Sequence, residues 1–188
     1  MEITQTYGSF INLCNKFSYA NKNEFVANPI ECFRRESPSF VRMDVTYGKG
    51  SAANWLYNIL QGMFVFLGVT DDKFSKEQIY NLAKTIYANY KTLMVVEFLL
   101  FVSRFEAGKY GRFYGDTSYA LTVTDALNKF MDERGRYLAD IESMQRRINN
   151  ERSMHNAISF EEYKRNKELR GERVSDALES IFGNKNLD

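Results

Sequence analysis

Apolar residues recur at helical spacing along most of this chain. Trp55, Leu56, Ile59, Leu60, Met63, Phe64 and Leu67 fall on one face and predict a helix from near Ser51 that stops at Gly68. Ser75 opens the next helix. Its hydroxyl can accept an orphan backbone N–H and Gln78 can reciprocate, a capping box, after which Ile79, Leu82, Ala83, Ile86 and Tyr90 carry the stripe. Leu93 to Phe105 is apolar on nearly every side, the pattern of a helix at the centre of a bundle. After a glycine-rich interruption a long helix follows, in which Val123, Leu127, Phe130, Arg134, Tyr137, Ile141, Met144 and Ile148 alternate by four and three. That is a heptad rhythm, with Arg134 as its one charged intruder.

The two ends are patterned differently. Residues 1–20 carry Ile3, Phe10, Leu13, Cys14 and Phe17 near one helical face. The stretch from Asn21 to Pro38 is rich in Asn, holds both prolines and is expected to be irregular. Val41 to Tyr47 alternates apolar and polar residues, which predicts a short extended segment ended by Gly48-Lys49-Gly50. Beyond Ile148 the rhythm fails at Asn149 and Asn150, and Ser159 with Glu162 forms a second capping box. The charged run from Glu161 to Arg173 is expected to be solvated. Val174, Leu178, Ile181 and Phe182 then form a short amphipathic helix ended by Gly183, which is a candidate partner-binding element. The expected fold is mainly α, a helical bundle with one long heptad-patterned helix and a C-terminal helical tail. The expected division is a core over residues 1–150 and a charged tail over 151–188.

Composition narrows the class. The 188 residues are 44% apolar and 15% aromatic, enough for a real core, and no proline after Pro38 interrupts a helix. A net charge of +1 gives no global field toward nucleic acid or membrane, so any nucleic-acid contact is a local patch. Cys14 and Cys32 fit no metal-site or CxxC spacing and suit a reducing compartment. The N-terminus lacks the basic and apolar regions of a signal peptide. The apolar runs Trp55 to Val69 and Leu93 to Val102 fall short of the roughly 18 residues a spanning helix needs. A soluble, cytoplasmic protein without membrane contact is expected.

Few residues carry recognisable chemistry. Tyr47-Gly48-Lys49-Gly50-Ser51 precedes a helix, where backbone N–H groups can hold phosphate, but it does not match GxxxxGK[ST] and Ser51 suits an ordinary N-cap. His155 lies in a polar stretch and has no evident partner. No catalytic residues, metal ligands or cofactor are expected, and the chain does not read as an enzyme. Glu97 lies inside an apolar helix, where a lone carboxylate is costly. It is expected either to form an ion pair in the core, with Arg104 two turns on as the nearest cation, or to face a groove.

The segment from Arg104 to Gly115 interleaves Arg104, Lys109 and Arg112 with Phe105, Tyr110, Phe113 and Tyr114. Cations that neutralise phosphates beside rings that stack on bases are what single-strand binding uses. Arg104, Lys109, Tyr110, Arg112, Phe113 and Tyr114 are therefore the candidate nucleic-acid-binding residues. The competing reading is a structural turn whose rings plug the bundle end.

Arg104-Phe105-Glu106-Ala107-Gly108-Lys109-Tyr110-Gly111-Arg112-Phe113-Tyr114-Gly115, followed by Ala126-Leu127-Asn128-Lys129-Phe130 and Glu133-Arg134, resembles a motif of small helical proteins of phages and mobile elements from Bacteroidales-type bacteria. That family, with its GxYGxFYG core, has no known function. The resemblance spans roughly residues 75–140. Here Glu106 stands where a basic residue is frequent, and Asp116-Thr117-Ser118 where a Val-Asp-Pro turn is frequent. The resemblance implies a phage or mobile-element setting and no reaction. Two functions are then expected. One is a non-enzymatic accessory protein in DNA replication, in the style of a helicase loader or replisome adaptor, acting by protein–protein or self-association and weak single-stranded nucleic-acid contact. The alternative is a structural adaptor, a ring or connector subunit of a phage particle.

Overall fold

The structure, a computed structural model, describes residues 3–34, 37–111, 118–156 and 161–171, the side chains of Arg34, His155 and Asn156 excepted. The described residues are mainly α and contain ten helices. They are α1 (Ile3–Tyr7), α2 (Phe10–Lys16), α3 (Lys22–Val26), α4 (Pro29–Arg34), α5 (Phe40–Tyr47), α6 (Ser51–Phe66), α7 (Lys76–Asn89), α8 (Val95–Glu106), α9 (Tyr119–Asn156) and α10 (161–171). The chain divides into two compact units, Met1–Asp140 and Ile141–Asp188, with the division inside α9.

The first unit is a helical bundle built on α6 and α8. α6 packs against α7, α5 and α8, while α3 and α4 pack against α8. Every residue of α8 from Val95 to Val102 is buried, including Leu99 and Phe101 at 0% exposure, as its lack of a polar face requires. Trp55, Phe40 and Phe98 meet at ring-centroid distances of 5.9–6.0 Å, and the Trp55 indole N–H donates to the Phe17 carbonyl at 2.9 Å. α9 joins this core through Val123, Leu127 and Phe130, all fully buried, with Phe130 5.7 Å from Phe101.

Several ends form as the residues dictate. α7 carries the Ser75–Gln78 capping box, with the Ser75 N–H donating to Gln78 at 2.7 Å. α6 gives way at Gly68, whose φ of +72° lies in the left-handed region that glycine tolerates. Other segments differ from expectation. Val41 to Tyr47 lies in helix α5, not in an extended strand, because Phe40 and Met43 are the residues buried there, at helical spacing, while Val45 stays 82% exposed. Only the approach to α5 is extended. There Ser39 pairs with Met94 in an isolated antiparallel bridge, and the Val95 N–H donates to the Pro38 carbonyl at 3.0 Å. Residues 3–20 contain two helices rather than one, broken where Gly8 takes a φ of +68° and Ser9 caps α2. The Asn-rich stretch from Asn21 to Pro38 contains α3 and α4, and Pro29 opens α4, the helix position proline tolerates best. No helix among the described residues is long and apolar enough to cross a membrane.

Within the second unit, the distal part of α9 and α10 are exposed along most of their length. Met144 is 56%, Met154 79%, Tyr163 54% and Leu169 48% exposed. The charged run is thus solvated over 161–171. Val174, Leu178, Ile181 and Phe182 lie outside the described residues.

Candidate functional site

The glycine-rich turn leaves the C-terminus of α8 and is bound to α9 by one carboxylate. α8 delivers Arg104 in its last turn. Gly108, at a φ of +74°, turns the chain so that Lys109 and Tyr110 come back over α9. There Glu133 receives all three. Arg104 Nη1 lies 2.9 Å from Glu133 Oε2, the Tyr110 hydroxyl donates to the same oxygen at 3.0 Å, and Lys109 Nζ donates to Oε1. Lys129, one turn before Glu133, donates from Nζ to the Tyr110 carbonyl at 3.1 Å. The Tyr110 ring stacks on Phe101 at 6.0 Å and meets Phe130 edge-on at 6.5 Å. Arg104 also lies 5.9 Å over the Tyr137 ring, which stacks at 4.9 Å on Phe33.

Charge sets the ionisation of this cluster. Burial raises the Glu133 carboxyl, but the hydrogen bonds from Lys109 and Tyr110 and the charges of Arg104 and Lys109 outweigh it, leaving Glu133 below the usual carboxylate range. Burial, followed by the hydrogen bond to Glu133 and its negative charge, pushes the Tyr110 hydroxyl up. Of the candidate nucleic-acid residues, the structure therefore brings together Arg104, Lys109 and Tyr110. Arg112, Phe113 and Tyr114 lie outside the described residues. Glu133 and Lys129 complete the cluster; both belong to the motif that carries the family resemblance, but neither is among the candidate nucleic-acid-binding residues. The heptad is a second signal: Glu133 precedes the core-facing Arg134 and flanks the seam.

Two neighbouring carboxylates are also engaged. Glu97, at 1% exposure, is ion-paired in the core, but its partner is Arg134 at 2.9 Å rather than Arg104, and its other oxygen accepts the Met94 N–H at 3.0 Å. This accounts for the charged intruder in the heptad. Glu106 pairs with Lys22 at 2.7 Å and accepts the Tyr19 hydroxyl at 2.6 Å, which fastens α3 to α8.

The other sequence candidates resolve differently. At the helix start after Gly48-Lys49-Gly50 an internal carboxylate stands where a phosphate would bind: Asp44 accepts the Gly50 N–H at 3.1 Å and the Ala52 N–H at 2.8 Å, and the N-cap is Gly50 rather than Ser51. The side chain of His155 lies outside the described residues. A groove of about 400 Å³ between α7 and the start of α9 is lined by Phe74, Leu82 and Leu121 together with Gln78, Asn81 and Thr124, with no titratable side chain in its lining. No group of three or more His, Cys, Asp or Glu among the described residues is placed to hold a metal ion.

Fold and cluster together define a small all-α bundle whose glycine-aromatic turn is fastened to its longest helix by ion pairs. The chain belongs to a family of unknown function, DUF6633, whose model matches residues 73–174, a span that includes α7, α8, α9 and α10. No curated protein and no solved structure matches it.

Proposed function

We propose that the protein is a non-enzymatic accessory factor of a phage or mobile element. It acts in the bacterial cytoplasm in DNA replication, in the style of a helicase loader or replisome adaptor, mainly by gripping another protein. The observation that carries the adaptor reading is the exposure of Met144, Met154, Tyr163 and Leu169 on otherwise charged helices of the second unit. Exposed apolar anchors on a helix are what a partner's groove receives. The setting rests on the motif resemblance. Nucleic-acid contact through the Arg104–Tyr110 turn is secondary and weak, because its cations already share one carboxylate.

The test is affinity capture from expressing cells with the full chain and with a chain ending at Asp140. The full chain is expected to retain a replication protein that the shortened chain loses while melting at the same temperature. Equal capture by both chains, or none by either, overturns the adaptor reading. The alternative, a ring or connector subunit, draws support from the heptad stripe, which continues through Ile141, Met144 and Ile148 as a seam for a second copy. A ring-sized mass in solution would favour it over a monomer or dimer.

A further inference from the structure

Three donors from one end of the bundle converge on a single acceptor. Arg104, Lys109 and Tyr110 belong to α8 and the following turn, and the acceptor Glu133 belongs to α9. An array of a guanidinium, an ammonium and a hydroxyl is what recognises a phosphate oxygen, and a carboxylate is the nearest side-chain substitute for one. Two features distinguish this array from a plain structural ion pair. First, the charges do not balance: Arg104, Lys109 and Lys129 all contact Glu133 or the turn it holds, against that one carboxylate. Second, the fit to Glu133 is imperfect. Arg104 Nη1 is within ion-pair distance of Oε2, yet it is buried without a hydrogen bond of good geometry. The outer donors remain reachable, with the Lys109 side chain 45% exposed and Lys129 exposed, while the Arg104 side chain is only 11% exposed.

We infer that Arg104, Lys109 and Tyr110 form a phosphate site for single-stranded nucleic acid in which Glu133 is a built-in competing anion. A backbone phosphate meets Lys109 and Lys129 first. It gains Arg104 and the Tyr110 hydroxyl only when the Glu133 carboxylate swings out. Weak binding by the native chain follows directly, because each phosphate must displace an internal one-for-one substitute. This inference rests on the nucleic-acid part of the proposed function.

The experiment measures binding of a fluorescent single-stranded oligothymidylate by the full chain across a salt series. Glu133→Gln is expected to tighten binding about tenfold, the scale of one hydrogen bond to a charged group. It is also expected to steepen the log–log salt slope by about 0.7, one added phosphate contact on a single strand. Glu133→Asp keeps the charge but shortens the arm, so a smaller gain in the same direction is expected. It stands in should Glu133→Gln fail to fold. Asp132→Asn, on the exposed neighbour, removes the same charge without opening the site and should give a smaller gain than Glu133→Gln. Adding Arg104→Lys to Glu133→Gln should abolish the gain, because the fork is lost while the charge is kept. Native binding with no gain in any folded Glu133 variant, or a gain matched by Asp132→Asn, overturns the competing-anion inference and leaves the nucleic-acid reading standing. No binding by the native chain or by any variant at low salt overturns both.

Discussion

An ionised carboxylate removed from water costs several kcal/mol unless a partner and hydrogen bonds compensate it. Glu97, 1% exposed, has both: Arg134 on one oxygen and the Met94 N–H on the other. Removing one partner strands the other charge. Arg134→Ala is expected to cost about 3–5 kcal/mol in urea denaturation, and pairing it with Glu97→Leu is expected to recover much of that loss. A loss under about 1 kcal/mol for Arg134→Ala would show that water already solvates Glu97. Glu133 makes a pH-dependent contribution. Its folded-state pKa lies below its ordinary value of 4.5, so it adds stability above that pH and loses it as pH falls through the lowered value. Tyr110 works in the opposite sense: its pKa is raised above 10.0, so its contribution is complete below pH 10 and is lost only at more alkaline pH. Stability curves should therefore fall less steeply below pH 4.5 in Glu133→Gln than in the native chain. Parallel acid limbs would show that the carboxylate gains nothing from its three donors.

Among the elements, α6 and α8 are where shape decides. Gly62 sits mid-helix, where alanine would ordinarily stabilise by up to about 1 kcal/mol. A Cβ there would lie 2.5 Å from Tyr19 Cγ, and Tyr19 is held by its hydroxyl bond to Glu106 and cannot swing away. Gly62→Ala is therefore expected to lower stability by about 1–3 kcal/mol, the range for overpacking, and a rise in melting temperature would contradict the close ring contact. In α8, Leu99→Ala is expected to cost about 2–5 kcal/mol, since Leu99 is wholly buried. The sequence makes these core helices legible because α6, α7 and α8 carry their own apolar stripes and end signals. α5 departs from the extended segment that the alternation predicts because, of Val41, Met43, Val45 and Tyr47, the core buries only Met43, together with Phe40 three residues before it. Partner identities were least legible. Arg104 lies near Glu97 along one helix, but the pair that forms joins Glu97 to Arg134 from another helix, and no spacing rule reaches across 37 residues.

At the scale of the molecule, the two units differ in what stabilises their helices. The heptad stripe of α9 was legible as a stripe, but not how far along it the core extends. Val123, Leu127 and Phe130 are buried, Tyr137 is half-buried against Phe33, and Met144 is 56% exposed. Helical segments of about a dozen residues without buried tertiary contacts are marginal in water, since most helix stability in proteins comes from packing. The amides of α8 are accordingly expected to exchange hydrogen only through global unfolding, whereas those of residues 145–156 and 161–171 open locally and exchange orders of magnitude faster. The contrast separates the two functional readings. An adaptor awaiting a different protein leaves these helices fast-exchanging at every concentration of the chain alone, and they slow only when the partner is added. A ring or connector subunit covers the Ile141, Met144 and Ile148 seam with another copy, so protection of 145–156 should rise with the concentration of the chain itself. Mass-resolved exchange at two concentrations about a hundredfold apart decides between them: protection unchanged across that range leaves the adaptor standing, and protection that climbs toward the level of α8 removes it.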